Sequence, residues 1–83
     1  MSTTSPVLPD LAGIRATKGI SLRDIACSTR ITMRYLEAIE RGEFQKLPPG
    51  IYALSYVRQY ARAVEFDESM LTEHCRRVLE RTS

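Results

Sequence analysis

The segment Ser21–Gly42, SLRDIACSTRITMRYLEAIERG, constrains the fold of this chain more than any other stretch. Ser21 stands where a side-chain oxygen accepts from the backbone three residues on, and Asp24 stands where an acid completes a capping box. Ile20 and Ile25 occupy the two positions of a hydrophobic staple. The pattern then restarts, with Thr32 as a second cap and Leu36 and Ile39 at helical spacing. Gly42 supplies the left-handed residue that ends many helices. Two helices joined by so short a link must cross steeply, which is the geometry of a helix-turn-helix unit over residues 21–42.

The flanks read as further helices. Residues 1–9, MSTTSPVLP, are polar, carry two prolines and show no period, so they are expected to form a disordered arm before one domain over residues 10–83. Asp10 caps a first helix through Lys18, with Leu11, Ile14 and the stem of Arg15 facing inward and Gly19 ending it. The two motif helices are expected over 22–28 and 33–41. In the connector EFQKLPPG, Phe44 and Leu47 tuck under the core and the proline pair blocks helix. A fourth helix over 51–64 carries one apolar stripe: Ala53, Val57, Tyr60, Ala61 and Val64. Asp67 caps a fifth, with Glu68 in its first turn, a seam of Leu71, Cys75 and Val78, and Arg76, Arg77 and Arg81 towards its end. Strand-like alternation and internal repeats are absent, so the fold class is an all-α, five-helix bundle.

Several function classes are excluded at this level. No apolar run approaches a transmembrane span or a signal-peptide core, which predicts a cytoplasmic protein with no membrane span. Cys27 and Cys75 fall at helical apolar positions and are expected to be reduced, partly buried thiols. His74 stands beside Cys75, but neighbours on a helix point about 100° apart, and no second pair completes a zinc pattern. There is no nucleophile elbow and no glycine-rich phosphate loop. The chain is therefore expected to have no catalytic residues, no metal and no cofactor, and not to be an enzyme. Net charge is only +2, yet residues 11–42 hold six Lys/Arg against three Asp/Glu, while residues 43–83 hold six of each. The basic excess lies on the helix-turn-helix half, a weak footprint of phosphate contact.

Taken together, Gly19-Ile20-Ser21, Ile25-Ala26, Ile31-Thr32 and Ile39-Glu40-Arg41-Gly42 resemble the lambda-repressor-like helix-turn-helix proteins. The longer strings KGISLRDIACSTRITMRYLEAIERGEFQKLP and YVRQYARAVEFD are similar to the N-terminal cytoplasmic domain of the RodZ family of bacterial cell-shape proteins, over residues 11–71. The resemblance implies a compact five-helix lambda-repressor-like bundle and two uses of it. Many lambda-repressor-like domains bind operator DNA. The RodZ domain instead docks on the actin-like filament protein MreB at the membrane's inner face, which RodZ proteins reach through a transmembrane helix downstream of the domain; these 83 residues show no such span, as expected of either a free-standing relative or a domain of a longer protein.

For the DNA reading, the N-terminal part of the second motif helix enters the major groove. Thr32, Met33, Arg34 and Glu37 are the outward candidates: Arg34 for guanine edges, Glu37 for cytosine, Met33 for a thymine methyl. Ser21 and Thr32 open helices whose free N–H groups suit phosphate, flanked by Arg23 and Arg30. Double-stranded DNA is then the partner, a homodimer is compatible with it, and the role is a transcriptional regulator. Against it stand the acids Glu37 and Glu40, the latter matching a structural glutamate of the family, and Leu22 where DNA-reading relatives carry Gln. For the docking reading, Tyr52 and Tyr56 lie at the edge of the fourth-helix stripe, half exposed, with Arg58 on the same helix. They match the aromatics that the RodZ resemblance assigns to the contact with an MreB-like filament. The basic bias and the missing membrane anchor favour DNA, and Leu22, Tyr52 and Tyr56 favour docking.

Overall fold

A computed structural model describes residues 8–82. Five α-helices follow in order: α1 Leu11–Thr17, α2 Leu22–Thr29, α3 Met33–Arg41, α4 Ile51–Ala63 and α5 Glu68–Thr82. One 3-10 turn, Phe44–Lys46, interrupts the connector before α4, and no strand occurs among the described residues. The arm expected over residues 1–9 lies mostly outside the described residues; of it, Leu8 and Pro9 are partly buried, and Leu8 packs on the core.

The caps follow from local chemistry. Asp10 accepts from the Gly13 N–H at 3.0 Å. At the start of α2 the Asp24 N–H donates to Ser21 Oγ at 3.0 Å, and the Ser21 N–H donates back to Asp24 Oδ2 at 3.2 Å. This reciprocal box satisfies two backbone donors that a helix start otherwise leaves without a partner. Thr32 departs from the expectation. It occupies the N-cap position of α3, but its hydroxyl makes no capping bond. Its carbonyl alone serves the first turn, accepting from the Tyr35 and Leu36 N–H groups. Gly42 ends α3 at φ 76°, where a side chain would be strained, and an added Cβ would meet Leu8 Cδ2 at 3.2 Å. Arg30 ends α2 in the same left-handed region, at φ 63°, without being glycine.

The core gathers Leu11, Ile25, Leu36, Ile39, Phe44, Val57, Tyr60, Val64 and Leu71, drawn from every helix and the 3-10 turn. The expected stripe of α4 is buried along its whole length, and Phe44 and Leu47 do tuck under it. α5 packs along α4 and against the 3-10 turn. Its start is capped by Asp67, which accepts from the Met70 N–H at 3.1 Å. Both cysteines are free. Cys75 is buried, and burial pushes its thiol up to about 11. Cys27 is exposed, contrary to expectation. It lies two residues, about 200°, round the helix from Ile25, the residue by which α2 enters the core.

One polar cluster ties three helices together. Glu40 on α3 accepts from Arg15 Nε at 2.6 Å and from the Tyr60 hydroxyl at 2.5 Å. Arg15 also donates to the Ile20 carbonyl at 3.0 Å, fixing the chain between α1 and α2. The Glu40 and Arg15 side chains are 10% and 18% exposed, so this pair is shielded from water in a way that the surface pairs are not. Burial, followed by the hydrogen bond to the Glu40 carboxylate, raises the Tyr60 pKa above its ordinary value, and Glu40 likewise raises that of Arg15.

Candidate functional site

α2 and α3 pack on each other as the two arms of the motif. Leu36, Ala38 and Ile39 are buried, which leaves the opposite side of α3 open. At about 100° per residue, Met33, Glu37, Arg41 and Arg34 fall in that order within one 100°-wide sector. All four are exposed, Met33 by 40%. Arg23 on α2, Arg30 in the turn and Thr32 at the start of α3 are exposed as well. The residues singled out from the sequence, Arg23, Arg30, Thr32, Met33, Arg34 and Glu37, thus all sit on the solvent side of the motif. Arg41 belongs with them. Its spacing of seven from Arg34 was the available signal for it.

Ion pairing separates this face from the rest of the molecule. Arg15 pairs with Glu40, Lys18 with Glu65, Lys46 with Glu43, Arg58 and Arg62 with Glu68, and Arg76 and Arg77 with Glu73. Arg23, Arg30, Arg34 and Arg41 take part in no ion pair among the described residues; the other such arginine is Arg81, near the end of α5. Four guanidinium groups with their charge uncompensated therefore lie on a single supersecondary unit. Of the acids there, Asp24 is held in the capping box and Glu40 in the polar cluster, leaving Glu37 as the exposed carboxylate of α3.

A second surface is aromatic. Tyr52 is 59% exposed, and Tyr56 lies one turn further along α4, partly buried. The Tyr56 ring rests 5.8 Å, centroid to centroid, from that of Tyr35 on α3, at a tilt of 37°. Sequence spacing within α4 links Tyr52 to Tyr56, but only the fold brings Tyr35 to them. Arg58 does not join this surface. It lies about 200° round α4 from Tyr56 and faces Glu68 on α5, 3.7 Å away. Tyr60 is fully buried, as the stripe requires.

The His74 and Phe44 rings meet edge to face, 5.8 Å from centroid to centroid. Burial first, then repulsion from Arg77 and Arg81, hold its pKa below the ordinary imidazole value. No group of three or more His, Cys, Asp or Glu residues able to hold a metal ion exists among the described residues, and none of their helices is long and apolar enough to cross a membrane.

Residues 10–71 match a protein family described as a helix-turn-helix domain. Over 63 residues the chain is 35% identical to the uncharacterized membrane protein YmfM of Bacillus subtilis, a stretch covering 76% of this chain and 22% of that protein. Over 59 residues it is 36% identical to the cytoskeleton protein RodZ of Streptococcus pneumoniae, covering 71% of this chain and 21% of that one. The chain thus spans under a quarter of the length of these curated relatives. No solved structure matches it significantly.

Proposed function

Because the chain belongs to this helix-turn-helix domain family, close to the N-terminal domain of RodZ, we propose that it is a module that binds double-stranded DNA and serves in transcriptional regulation. The observation that carries this reading is the set of arginines without an acidic partner among the described residues, Arg23, Arg30, Arg34 and Arg41, on α2, α3 and the turn between them. Elsewhere the fold neutralises nearly every cation with a carboxylate. A polyanion is the ligand that compensates those left over. In this reading Arg23, Arg30 and Arg41 meet phosphates, Thr32 and the first turn of α3 approach the backbone, and Met33, Arg34 and Glu37 face base edges. Fluorescence anisotropy with labelled duplexes at low salt tests it. Arg30→Ala should weaken binding to all sequences alike and flatten the salt slope by about one unit. Arg34→Ala should relax discrimination at one base pair by about 1–3 kcal/mol. No binding to any duplex at high micromolar protein would end the reading.

A second reading is favoured by the exposure of Tyr52 and by the likeness to a protein named for the cytoskeleton. Here α4 docks on an MreB-type filament through Tyr52 and Tyr56. Large aromatic rings with one face free are common interface anchors. Co-sedimentation with such a filament should be lost on replacing both tyrosines with Ser, with circular dichroism unchanged. Equal pelleting of both proteins would remove the tyrosines from the contact.

A further inference from the structure

The aromatic surface and the arginine surface are neighbours across the α3–α4 seam. Tyr52 and Tyr56 lie one turn apart on α4, the Tyr56 ring sits 5.8 Å from that of Tyr35, and Tyr35 is followed round α3 by Ala38 and then the exposed Arg34. The three tyrosines form one strip, and about 100° round α3 from Tyr35, past the buried Ala38, stands a guanidinium that no carboxylate of the described chain neutralises. A partner is constrained by size. A standard protein interface covers about 800 Å² on each partner, a disc of roughly 16 Å radius. The whole bundle measures only 36 × 30 × 18 Å. A protein centred on Tyr56 must therefore reach over the flank of α3.

We propose that this strip makes duplex binding and protein docking mutually exclusive: a partner whose surface has an apolar centre and an acidic rim seats on Tyr52, Tyr56 and Tyr35, takes Arg34 by a carboxylate, and displaces DNA. The acidic rim follows from charge complementarity, since a neutral or basic partner would cover Arg34 without compensating it. Carboxylate and base edge then compete for one guanidinium, and bulk excludes the duplex from the rest of the face. The inference rests on the DNA reading above and adds its regulation.

The test places a rigid body on the strip. In a Cys27→Ser background, which removes the exposed native thiol and leaves the buried Cys75, Tyr52→Cys is coupled to biotin-maleimide and loaded with streptavidin. Ser69→Cys on α5, treated identically, is the control. Duplex affinity should fall at least tenfold with streptavidin at position 52 and stay within twofold with it at position 69. Without streptavidin, the biotinylated position 52 variant should bind duplex as the unlabelled protein does. Unchanged affinity with streptavidin at position 52 would overturn the exclusion while leaving the DNA reading intact. Absence of duplex binding by the unlabelled protein would overturn both. For the chemistry of the partner, displayed peptides are selected on the native protein and counter-selected on Tyr52→Ser/Tyr56→Ser. They should combine aromatic or aliphatic residues with Asp or Glu and displace labelled duplex; basic peptides, or none, would refute the acidic rim.

Discussion

Glu40 shows how far one side chain can carry a fold of this size. Its carboxylate is the shared acceptor for Arg15 and for the Tyr60 hydroxyl, so Glu40→Ala leaves a shielded cation and a buried hydroxyl without their partner. The expected loss is about 2–3 kcal/mol in urea denaturation. A loss below about 0.5 kcal/mol would mean that water replaces the carboxylate at no penalty. His74 gives a pH dependence of defined sign. Its folded pKa is depressed, so the unfolded chain holds the proton more tightly than the fold does. Stability from this site is full above about pH 6.5 and declines as pH falls from there towards the folded value. His74→Gln should flatten the fall in melting temperature between about pH 7.5 and 5.5, and identical profiles for the two proteins would refute it.

Among the elements, α3 carries both the core and the candidate face, and single substitutions can separate them. Ile39→Ala empties a fully buried position and should destabilise by about 2–5 kcal/mol in the same denaturation assay. Arg30→Gly should act in opposite directions on two readouts. Glycine relieves the left-handed backbone at φ 63°, raising stability by up to about 1 kcal/mol, while removal of the guanidinium weakens duplex binding. Equal or lower stability would mean that the Arg30 stem makes up for its backbone conformation by packing. The elements themselves are legible in the sequence because capping and stripe periodicity are local: Ser21 with Asp24, Asp10, Asp67, Gly42 and the run from Ala53 to Val64 all sit where their pattern puts them. What local pattern cannot reveal depends on tertiary neighbours. The Tyr35–Tyr56 contact and the removal of Arg58 to Glu68 join residues far apart in the chain, and that Arg23, Arg30, Arg34 and Arg41 form no ion pair among the described residues depends on where the folded side chains lie. Thr32 escapes for a related reason, since a residue type suited to capping does not fix the direction of its hydroxyl.

For the molecule as a whole, salt dependence distinguishes how many copies meet DNA. With Arg23, Arg30 and Arg41 each neutralising one phosphate, the slope of log affinity against log salt should be about −2.7 for one copy and about twice that for a pair. Anisotropy titrations across a range of salt concentrations measure it, and a slope near zero would exclude phosphate contact. The same bundle is closed internally by the Arg15–Glu40–Tyr60 cluster, and this has a consequence for its descent. Loss of Glu40 strands both donors, and loss of Arg15 or Tyr60 takes one of its two donors from the shielded carboxylate, so no single step away from the set is neutral. Lineages that depart from it must do so by paired or triple replacement, exchanging the cluster for an apolar one. In a deep set of relatives the three columns should be inherited as one character, whereas the exposed positions 33, 34 and 37 are free to drift apart with each lineage's own target.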